Sequence, residues 1–273
     1  MSSEDYHADS LPPVPTLSRG VIKDLLDCPM RAYWNHPRLN PKFEPKVADK
    51  FDLGKAAHSL FLEGIDNAVI IDAPDYKTKA AQEAKIAARK ANKTPLLVSQ
   101  YNEVKLMVEM AHEALWITLG LKIEEGESER SYYWKENETW MKIRPDWFTS
   151  KKPLCLDYKT TGLYADPKAY STIVSATGLD IQKAFYCRGI MAVERVDPFF
   201  YFLVQETDAP YLCTFIKLDP LFEEMGEQKV HRGIKLWRES MESGVWPGYG
   251  AGIQIVEPQA WQLTKWEEKN GGE

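Results

Sequence analysis

The sequence lacks paired cysteines, a long apolar run and an excess of basic charge. Its four cysteines are scattered singly, at Cys28, Cys155, Cys187 and Cys213, and no Cys-x-x-Cys pair occurs. This spacing argues against a zinc ribbon and against a clustered iron–sulfur site. No apolar run approaches the ~20 residues that a membrane-spanning helix needs, and the acidic start MSSEDYHADS is unlike a signal peptide. We therefore expect a cytoplasmic protein without a membrane partner.

The formal net charge is −6, from 34 basic and 40 acidic residues. This balance argues against a protein that coats nucleic acid non-specifically, because such proteins are usually basic. It does not argue against an enzyme that binds nucleic acid in a local groove while gathering carboxylates around a cation. A chain of 273 residues with 44% hydrophobic content is also long enough to bury a sizeable core.

The first half of the chain is predicted to be helical. Residues 1–16 are polar and proline-rich, so we expect a loose leader there. Apolar residues at helical spacing predict helices over 17–37, 47–64 and 99–118, and a basic helix is expected over about 75–93. The helical part is expected to run from 17 to 127.

The second half, 128–256, is predicted to form the sheet. An aromatic hairpin (128–150), a short buried strand (154–158), a helix (180–195), two further strands and a long helix (219–242) give the order β-β-β-α-β-β. The fold class is therefore α/β (α+β), a central mixed sheet flanked by helices. No flexible linker separates the halves, so 17–256 is expected to be one domain, followed by a tail over 257–273.

The tetrapeptide Asp-Tyr-Lys-Thr occurs twice, beginning at Asp75 and at Asp157. An acidic residue two positions before a lysine ends a common signature of metal-dependent nucleases. The spacing alone decides nothing, because Asp/Glu-x-Lys occurs eight times in the chain. The surroundings of each copy must decide which could be catalytic.

The copy at 157 has the surroundings that a metal site needs. On a strand, Asp157 and Lys159 point to the same face. Asp146 lies eleven residues upstream on the preceding strand, with a turn between them, and the carbonyl of Tyr158 could be a further ligand. Carboxylate and carbonyl oxygens suit Mg²⁺ or Mn²⁺. The alternative is a strand-end ion pair that contributes little.

The copy at 75 lacks these surroundings. Pro74 and Asp75 are typical of a turn and a helix start, where Asp offsets the helix dipole. On a helix, Asp75 and Lys77 would diverge by about 200°. We interpret Asp75 as a cap or a surface residue.

The arrangement RPDWF…LCLDYKTT…IQKAFY resembles the PD-(D/E)xK nuclease superfamily, and more narrowly the RecE (exonuclease VIII) group of phage exonucleases within the RecB-like nucleases. Four further stretches resemble that group: LGKAAHSLFLEG, SERSYYW, IQKAFY and SGVWPGYG. The resemblance runs from about residue 17 to 256. It implies a restriction-endonuclease-like core.

The resemblance also implies roles for individual residues. His58, Asp146 and Asp157 would be metal ligands, and Lys159 would position the attacking water or stabilise the transition state. Gln182 and Tyr186 share a helix face beside the site, where they could instead only support the sheet. Glu129 is a candidate for a second cation or for water activation, or alternatively a solvated turn charge. His58 could instead be an ordinary buried helix histidine.

The implied function is a Mg²⁺-dependent exonuclease that acts 5′→3′ on duplex DNA ends. It would leave a 3′ single strand for a phage annealing protein, work as a homo-oligomeric ring and carry no iron–sulfur cluster. A basic segment is the candidate DNA-binding surface, or alternatively a solvated helix; it contains Lys77, Lys79, Lys85, Arg89 and Lys90. A structure-specific or single-strand endonuclease and a non-catalytic DNA-end or recombinase-binding module are the alternatives.

Overall fold

The computed structural model describes residues 3–44 and 52–270. The first part of the chain is mostly helical, and its elements are α1 (Ser3–Ala8), α2 (Arg19–Asp27), α3 (Pro29–Asn35), α4 (Asp52–Glu63), β1 (Ala68–Ile71), α5 (Lys79–Lys90), β2 (Thr94–Leu97) and α6 (Val98–Leu119). The strands β1 and β2 pair in parallel within this helical part and were not predicted. Of the helix predicted over 47–64, residues 47–51 lie outside the described residues.

The second part contains the main sheet and its covering helices. Its elements are β3 (Glu127–Ser128), β4 (Tyr132–Glu136), β5 (Thr139–Ile143), β6 (Trp147–Thr149), β7 (Leu154–Thr161), α7 (Pro167–Thr177), α8 (Leu179–Glu194), β8 (Phe199–Glu206), β9 (Cys213–Ile216), α9 (Pro220–Ser243) and α10 (Ala260–Asn270). The helix α7 was not predicted. Four of its eleven residues are Thr or Ser, which are weak helix formers.

The main sheet has five strands in the order β3-β6-β7-β8-β9. The strand β7 pairs in parallel with β8, and the other neighbours are antiparallel. The parallel pair is joined through α7 and α8, as a crossover connection requires. A mixed sheet flanked by helices confirms the expected fold class.

Hydrophobic side chains cover both faces of this sheet. Because successive residues of a strand point to opposite faces, Cys155 packs with α2, α8 and α9, whereas Leu156 and Tyr158 pack with α4 and α6. The layer formed by α4 and α6 comes from the helical part of the chain. The helical part therefore builds one face of the core that the sheet needs.

Two predicted elements are divided in the structure. The helix expected over 17–37 ends at Asp27 and restarts at Pro29, with Cys28 extended between them. Proline lacks the N–H and clashes with the preceding turn, so it begins the new helix. The second strand of the hairpin is also divided at Pro145: β5 pairs with β4, while β6 joins the main sheet.

The loose leader expected over residues 1–16 differs from the structure, in which residues 3–16 are packed against the β4–β5 hairpin. Asp9 and Thr16 are fully buried. The Asp9 carboxylate accepts the backbone N–H of Thr16 at 2.9 Å and lies 2.8 Å from Lys142 Nζ on β5. Asp9 is therefore the partner of a buried lysine, and the segment is anchored to the fold rather than loose.

The end of the described chain is a helix whose residues are exposed throughout, α10. It falls within the tail predicted over 257–273, and the bounds of the domain and of the tail stay predictions. Across residues 3–44 and 52–270, no helix combines the length and the apolar character that crossing a bilayer requires.

The contact of α9 with α8 depends on a glycine. A Cβ added at Gly226 would overlap the backbone carbonyl of Asp180, whereas a Cβ at Gly20 would meet open space. We expect Gly226→Ala to lower the free energy of unfolding by about 2 kcal/mol, because a backbone atom cannot rotate away. The control Gly20→Ala should raise it by about 0.5 kcal/mol. Urea unfolding monitored by tryptophan fluorescence measures both, and equal effects would contradict this packing.

Candidate metal centre

The antiparallel pairing of β6 with β7 brings the two predicted carboxylates together. Trp147 pairs with Leu156, so Asp146 and Asp157 are the next residues along the two chains. Asp146 Oδ2 accepts the backbone N–H of Tyr158 at 2.8 Å. Asp146 therefore lies just before β6 rather than within a strand, and β7 holds it by a backbone hydrogen bond.

The helix α4 carries His58 to these carboxylates. His58 Nε2 lies 3.3 Å from Asp146 Oδ2 and 3.6 Å from Glu129 Oε1. One turn earlier, Gly54 faces Thr160 of β7, where an added Cβ would overlap the threonine hydroxyl. The missing side chain at Gly54 lets α4 approach β7 closely enough for His58 to reach the cluster.

Glu129 is part of the site rather than a solvated turn residue. It follows β3 with φ of 52°, and its N–H donates to the carbonyl of Asp146 at 3.0 Å. Its Oε2 accepts a hydrogen bond from Arg144 Nε at 2.6 Å. Its side chain is 17% exposed. Glu129 therefore lies where its carboxylate could bind a cation, as the resemblance implies.

The second predicted carboxylate, Asp157, is fully buried. One of its oxygens contacts Lys159 Nζ, and the other accepts from Gln182 Nε2 on α8. Lys159 Nζ also lies 3.8 Å from Asp146 Oδ2. Lys159 thus lies between the two carboxylates, and α8 orients Asp157 through Gln182.

Tyr186, the other residue predicted on this face of α8, lines a cleft next to the cluster. The cleft is also lined by Asp146, Lys159 and Gln182 and has a volume of about 450 Å³. Burial raises the pKa of the Tyr186 phenol well above its ordinary value, so the phenol is neutral. The structure places Tyr186 beside the site, one helical turn after Gln182.

The pKa values of the three acidic residues in this cluster are shifted in different directions. Burial and the negative charge of Asp146 raise the pKa of Asp157 to about 6. Burial alone would also raise the pKa of Asp146, but the charge of Lys159 and the hydrogen bond from His58 outweigh it, so that pKa is lowered. Burial and the charge of Asp146 raise the pKa of Glu129. Asp146 is therefore the most acidic of the three.

Nearby carboxylates also raise the pKa values of the two basic residues, His58 and Lys159. Burial disfavours the charged form of His58, but the hydrogen bond and charge of Asp146 outweigh burial, and its pKa is raised. Burial likewise opposes the charge of Lys159, yet Asp157 and Asp146 raise its pKa. Lys159 is therefore a fixed positive charge inside the site.

The donor set fits a divalent cation. His58, Glu129 and Asp146 offer ligand atoms that all lie within 4.8 Å of one another. Two carboxylate oxygens and one imidazole nitrogen suit Mn²⁺ and are acceptable to Mg²⁺. In a strand, the N–H and the carbonyl of one residue point to the same side. The N–H of Tyr158 donates to Asp146, so the Tyr158 carbonyl also lies on the side of β7 that faces Asp146.

The basic segment lies apart from this cluster on α5 and the turn before it. Lys77, Lys79 and Lys90 are exposed. Lys85 packs over the Tyr76 ring at 4.3 Å, and Arg89 lies 2.9 Å from Asp52 at the start of α4. Their role in DNA binding stays a prediction.

Asp75, in the other copy of the tetrapeptide, is a surface residue that lies before the helix. Its carboxylate accepts the N–H of Lys77 at 2.8 Å and lies 3.2 Å from Lys77 Nζ. The residue that caps α5 is Thr78, whose hydroxyl accepts from Ala81 N–H. The surface interpretation of Asp75 agrees with the structure, and the capping role belongs to Thr78.

Sequence reasoning missed two residues that build the site, Arg144 and Gly54. Arg144 directly precedes Pro145-Asp146, so a basic residue beside the acidic motif was the available signal. Gly54 stands four residues before His58, which is one helical turn and the same face. Neither sequence feature identifies its residue as part of the site unless the contacts in the structure are known.

Comparison with known proteins supports the assignment of the fold. A family described as "PDDEXK-like domain of unknown function (DUF3799)" matches residues 18–258. A solved structure of a provisionally named exonuclease from Eubacterium rectale is 12% identical, covers 100% of this chain and 98% of its own, and gives a TM-score of 0.63. This identity shows a shared fold alone.

A second solved structure, of a protein called SSO0001, is 14% identical over 70% of this chain and 87% of its own. Its TM-score of 0.28 is too low to carry an argument. No curated protein matches the chain in sequence. The family match covers most of the 273 residues and includes Asp146, Asp157 and Lys159, which confirms the resemblance to the PD-(D/E)xK superfamily. The chain belongs to the PDDEXK-like family DUF3799.

Proposed function

We propose that this protein is a divalent-metal-dependent deoxyribonuclease that removes nucleotides from the ends of duplex DNA. One observation carries the proposal: the cluster of His58, Glu129 and Asp146 lies beside the buried pair of Asp157 and Lys159. Phosphodiester hydrolysis requires cation ligands, a group that orients water and a positive charge near the phosphate. The cluster offers a candidate for each.

The residues divide these tasks as follows. His58, Glu129 and Asp146 would hold Mg²⁺ or Mn²⁺, with Asp157 and the Tyr158 carbonyl as further ligands. A cation bound there would polarise the phosphate and acidify water. Lys159 keeps its charge, so it can neutralise the negative charge that develops on the phosphate or orient the attacking water. Gln182 keeps Asp157 in place, and Tyr186 lines the cleft that the scissile strand would enter.

The finer features of the proposal come from the resemblance to the RecE group. They are 5′→3′ polarity, a 3′ single-stranded product handed to an annealing protein, and a homo-oligomeric ring. The exposed lysines of the basic segment, Lys77, Lys79 and Lys90, are the proposed phosphate contacts of the duplex. The segment is joined to α4 by the pair of Arg89 with Asp52, so it is fixed relative to the helix that carries His58.

The two copies of the tetrapeptide provide a matched test of catalysis. We expect Asp157→Ala to lower the release of nucleotides from linear duplex DNA in Mg²⁺ at least about 100-fold, because it removes a buried carboxylate of the site. Asp75→Ala changes the same residue of the same tetrapeptide on the surface and should keep the wild-type rate. DNA binding in EDTA, measured by fluorescence anisotropy, should be unchanged in both variants.

Other results of this assay would separate the alternatives. Cleavage of closed circular single-stranded DNA would replace the exonuclease with an endonuclease. DNA-end binding with no cleavage in Mg²⁺ or Mn²⁺ would indicate a non-catalytic module. Wild-type turnover by Asp157→Ala would show that the site is assigned wrongly.

The close approach of α4 to β7 gives a second prediction. A methyl group at Gly54 overlaps the Thr160 hydroxyl, so Gly54→Ala should push α4 and His58 outward and lower the nuclease rate about tenfold. Thr160→Ala removes that hydroxyl, and combining it with Gly54→Ala should restore most of the rate. A double variant that is no faster than Gly54→Ala would contradict this geometry.

The raised pKa of Asp157 predicts a conflict between stability and activity. Its pKa is about 6 in the folded protein against an ordinary 3.8, so the metal-free fold loses stability as the pH rises from about 4 to about 6, and the loss persists above pH 6. Asp157→Asn removes that charge and can still accept from Gln182. We expect it to be inactive yet more stable than wild type at about pH 8, by on the order of 1 kcal/mol, and the gain should shrink towards pH 5. Urea unfolding in EDTA measures this, and lower stability at pH 8 would contradict it.

A further inference from the structure

The N-terminal strap, defined here as residues 3–16, lies outside the part of the chain that the family match covers, 18–258. It is nevertheless built into the fold. Arg38 donates to the carbonyls of Pro12 at 2.7 Å and Val14 at 3.0 Å. Such contacts fix the backbone of the proline-rich segment that follows α1.

A buried ion pair between Asp9 and Lys142 also anchors the strap. Asp9 and Lys142 are both nearly or fully buried and lie 2.8 Å apart, and Lys142 Nζ also donates to the carbonyl of Tyr6 at 2.6 Å. A buried charge must keep its partner, because separating the pair leaves an uncompensated charge. The strap therefore has one well-defined position on β5.

In this position the Tyr6 ring lies against the side chains of Lys142 and Arg144, which come shortly before Asp146 in the sequence. Lys142 Nζ lies 4.7 Å from the ring centroid, and the guanidinium carbon of Arg144 lies 5.9 Å from it. Tyr6 is 8% exposed and packs edge-on against Tyr133 of the hairpin. Tyr6 thus forms a wall on one side of Arg144.

Arg144 in turn holds Glu129. Its Nε donates to Glu129 Oε2 at 2.6 Å, and another of its nitrogens donates to Ser131 Oγ at 2.8 Å. The remaining oxygen of Glu129, Oε1, lies on the side of His58, 3.6 Å from Nε2. A guanidinium fixed at two points leaves one carboxylate oxygen aimed into the cluster.

We infer that the N-terminal strap is part of the metal centre: Tyr6 confines Arg144, and Arg144 orients Glu129 as a ligand. Tyr6 and Arg144 are positioning residues, since neither touches the place where a cation would bind. The inference rests on the proposed function only in taking the cluster as a cation site. It adds that a segment outside the family match sets the affinity of that site.

The size of the effect follows from how ligands are held in metal sites. Groups that orient a ligand change metal affinity by about 10- to 100-fold when they are removed. Arg144→Ala removes both hydrogen bonds to Glu129 and Ser131, so we expect about a tenfold higher Kd for the cation. Tyr6→Leu keeps apolar volume but removes the flat aromatic face, and it should raise the Kd several-fold. Tyr6→Phe keeps the ring and should bind as wild type does.

The test measures Mn²⁺ binding to the full chain without DNA, by electron paramagnetic resonance of free Mn²⁺. Asp146→Asn serves as the variant that loses a ligand, and Leu11→Ala as a strap variant on an exposed side chain. Unfolding in urea is recorded for each variant, because a merely structural strap would lower stability and leave the Kd unchanged. The expected order of affinity is wild type, Tyr6→Phe and Leu11→Ala together, then Tyr6→Leu, then Arg144→Ala.

Two results would overturn the inference in distinguishable ways. Wild-type Mn²⁺ affinity in folded Tyr6→Leu and Arg144→Ala, with weak binding in Asp146→Asn, would remove the strap from the site and leave the proposed nuclease standing. Mn²⁺ binding that Asp146→Asn does not change would remove the metal centre and the strap's role with it. A strap variant that is only less stable at an unchanged Kd counts as the first result.

Discussion

Asp146 and Asp157 lie side by side where β6 meets β7, with little access to water, and much of the local structure counters their repulsion. Burial and the charge of Asp146 raise the pKa of Asp157 to about 6, so the metal-free site tolerates both charges poorly. Lys159 lies between the carboxylates, and His58 approaches Asp146 from the other side. Lys159 belongs to β7 and His58 to α4. The site therefore exists only when the helices and the sheet are assembled together.

The two layers that cover the sheet supply different groups because strand side chains alternate. Tyr158 points to the layer of α4 and packs against Phe61 at 5.0 Å, under the helix that carries His58. Asp157 points to the opposite layer, where Gln182 of α8 meets it. One strand thus places neighbouring residues in reach of two helices that lie on opposite faces. His58 and Asp157 lie on packed elements, and backbone N–H groups hydrogen-bond the segments that carry Asp146 and Glu129, so the site is well ordered.

How much of this could be predicted depended on distance along the chain. Asp146, Asp157 and Lys159 are close in sequence, so strand periodicity and one turn were enough to place them together. His58 lies 99 positions before Asp157 and Gln182 lies 25 positions after it. Both came from the resemblance, because no local pattern joins these helices to the strand. The strap looked loose because its polar, proline-rich composition is typical of a solvated segment. Its partner Lys142 lies 133 positions beyond Asp9, and burial of that pair is not visible in either local sequence.

The two copies of Asp-Tyr-Lys-Thr show why the motif needs its context. At 75 the aspartate and the lysine lie 3.2 Å apart on the surface, where water screens the pair and makes it worth little. At 157 the aspartate is fully buried and the lysine side chain is 32% exposed, so each charge changes the pKa of the other. The chemical difference arises from burial and from Asp146, neither of which the tetrapeptide encodes. A short acidic-x-lysine pattern therefore gains catalytic meaning only when its acid is buried and a second carboxylate faces it.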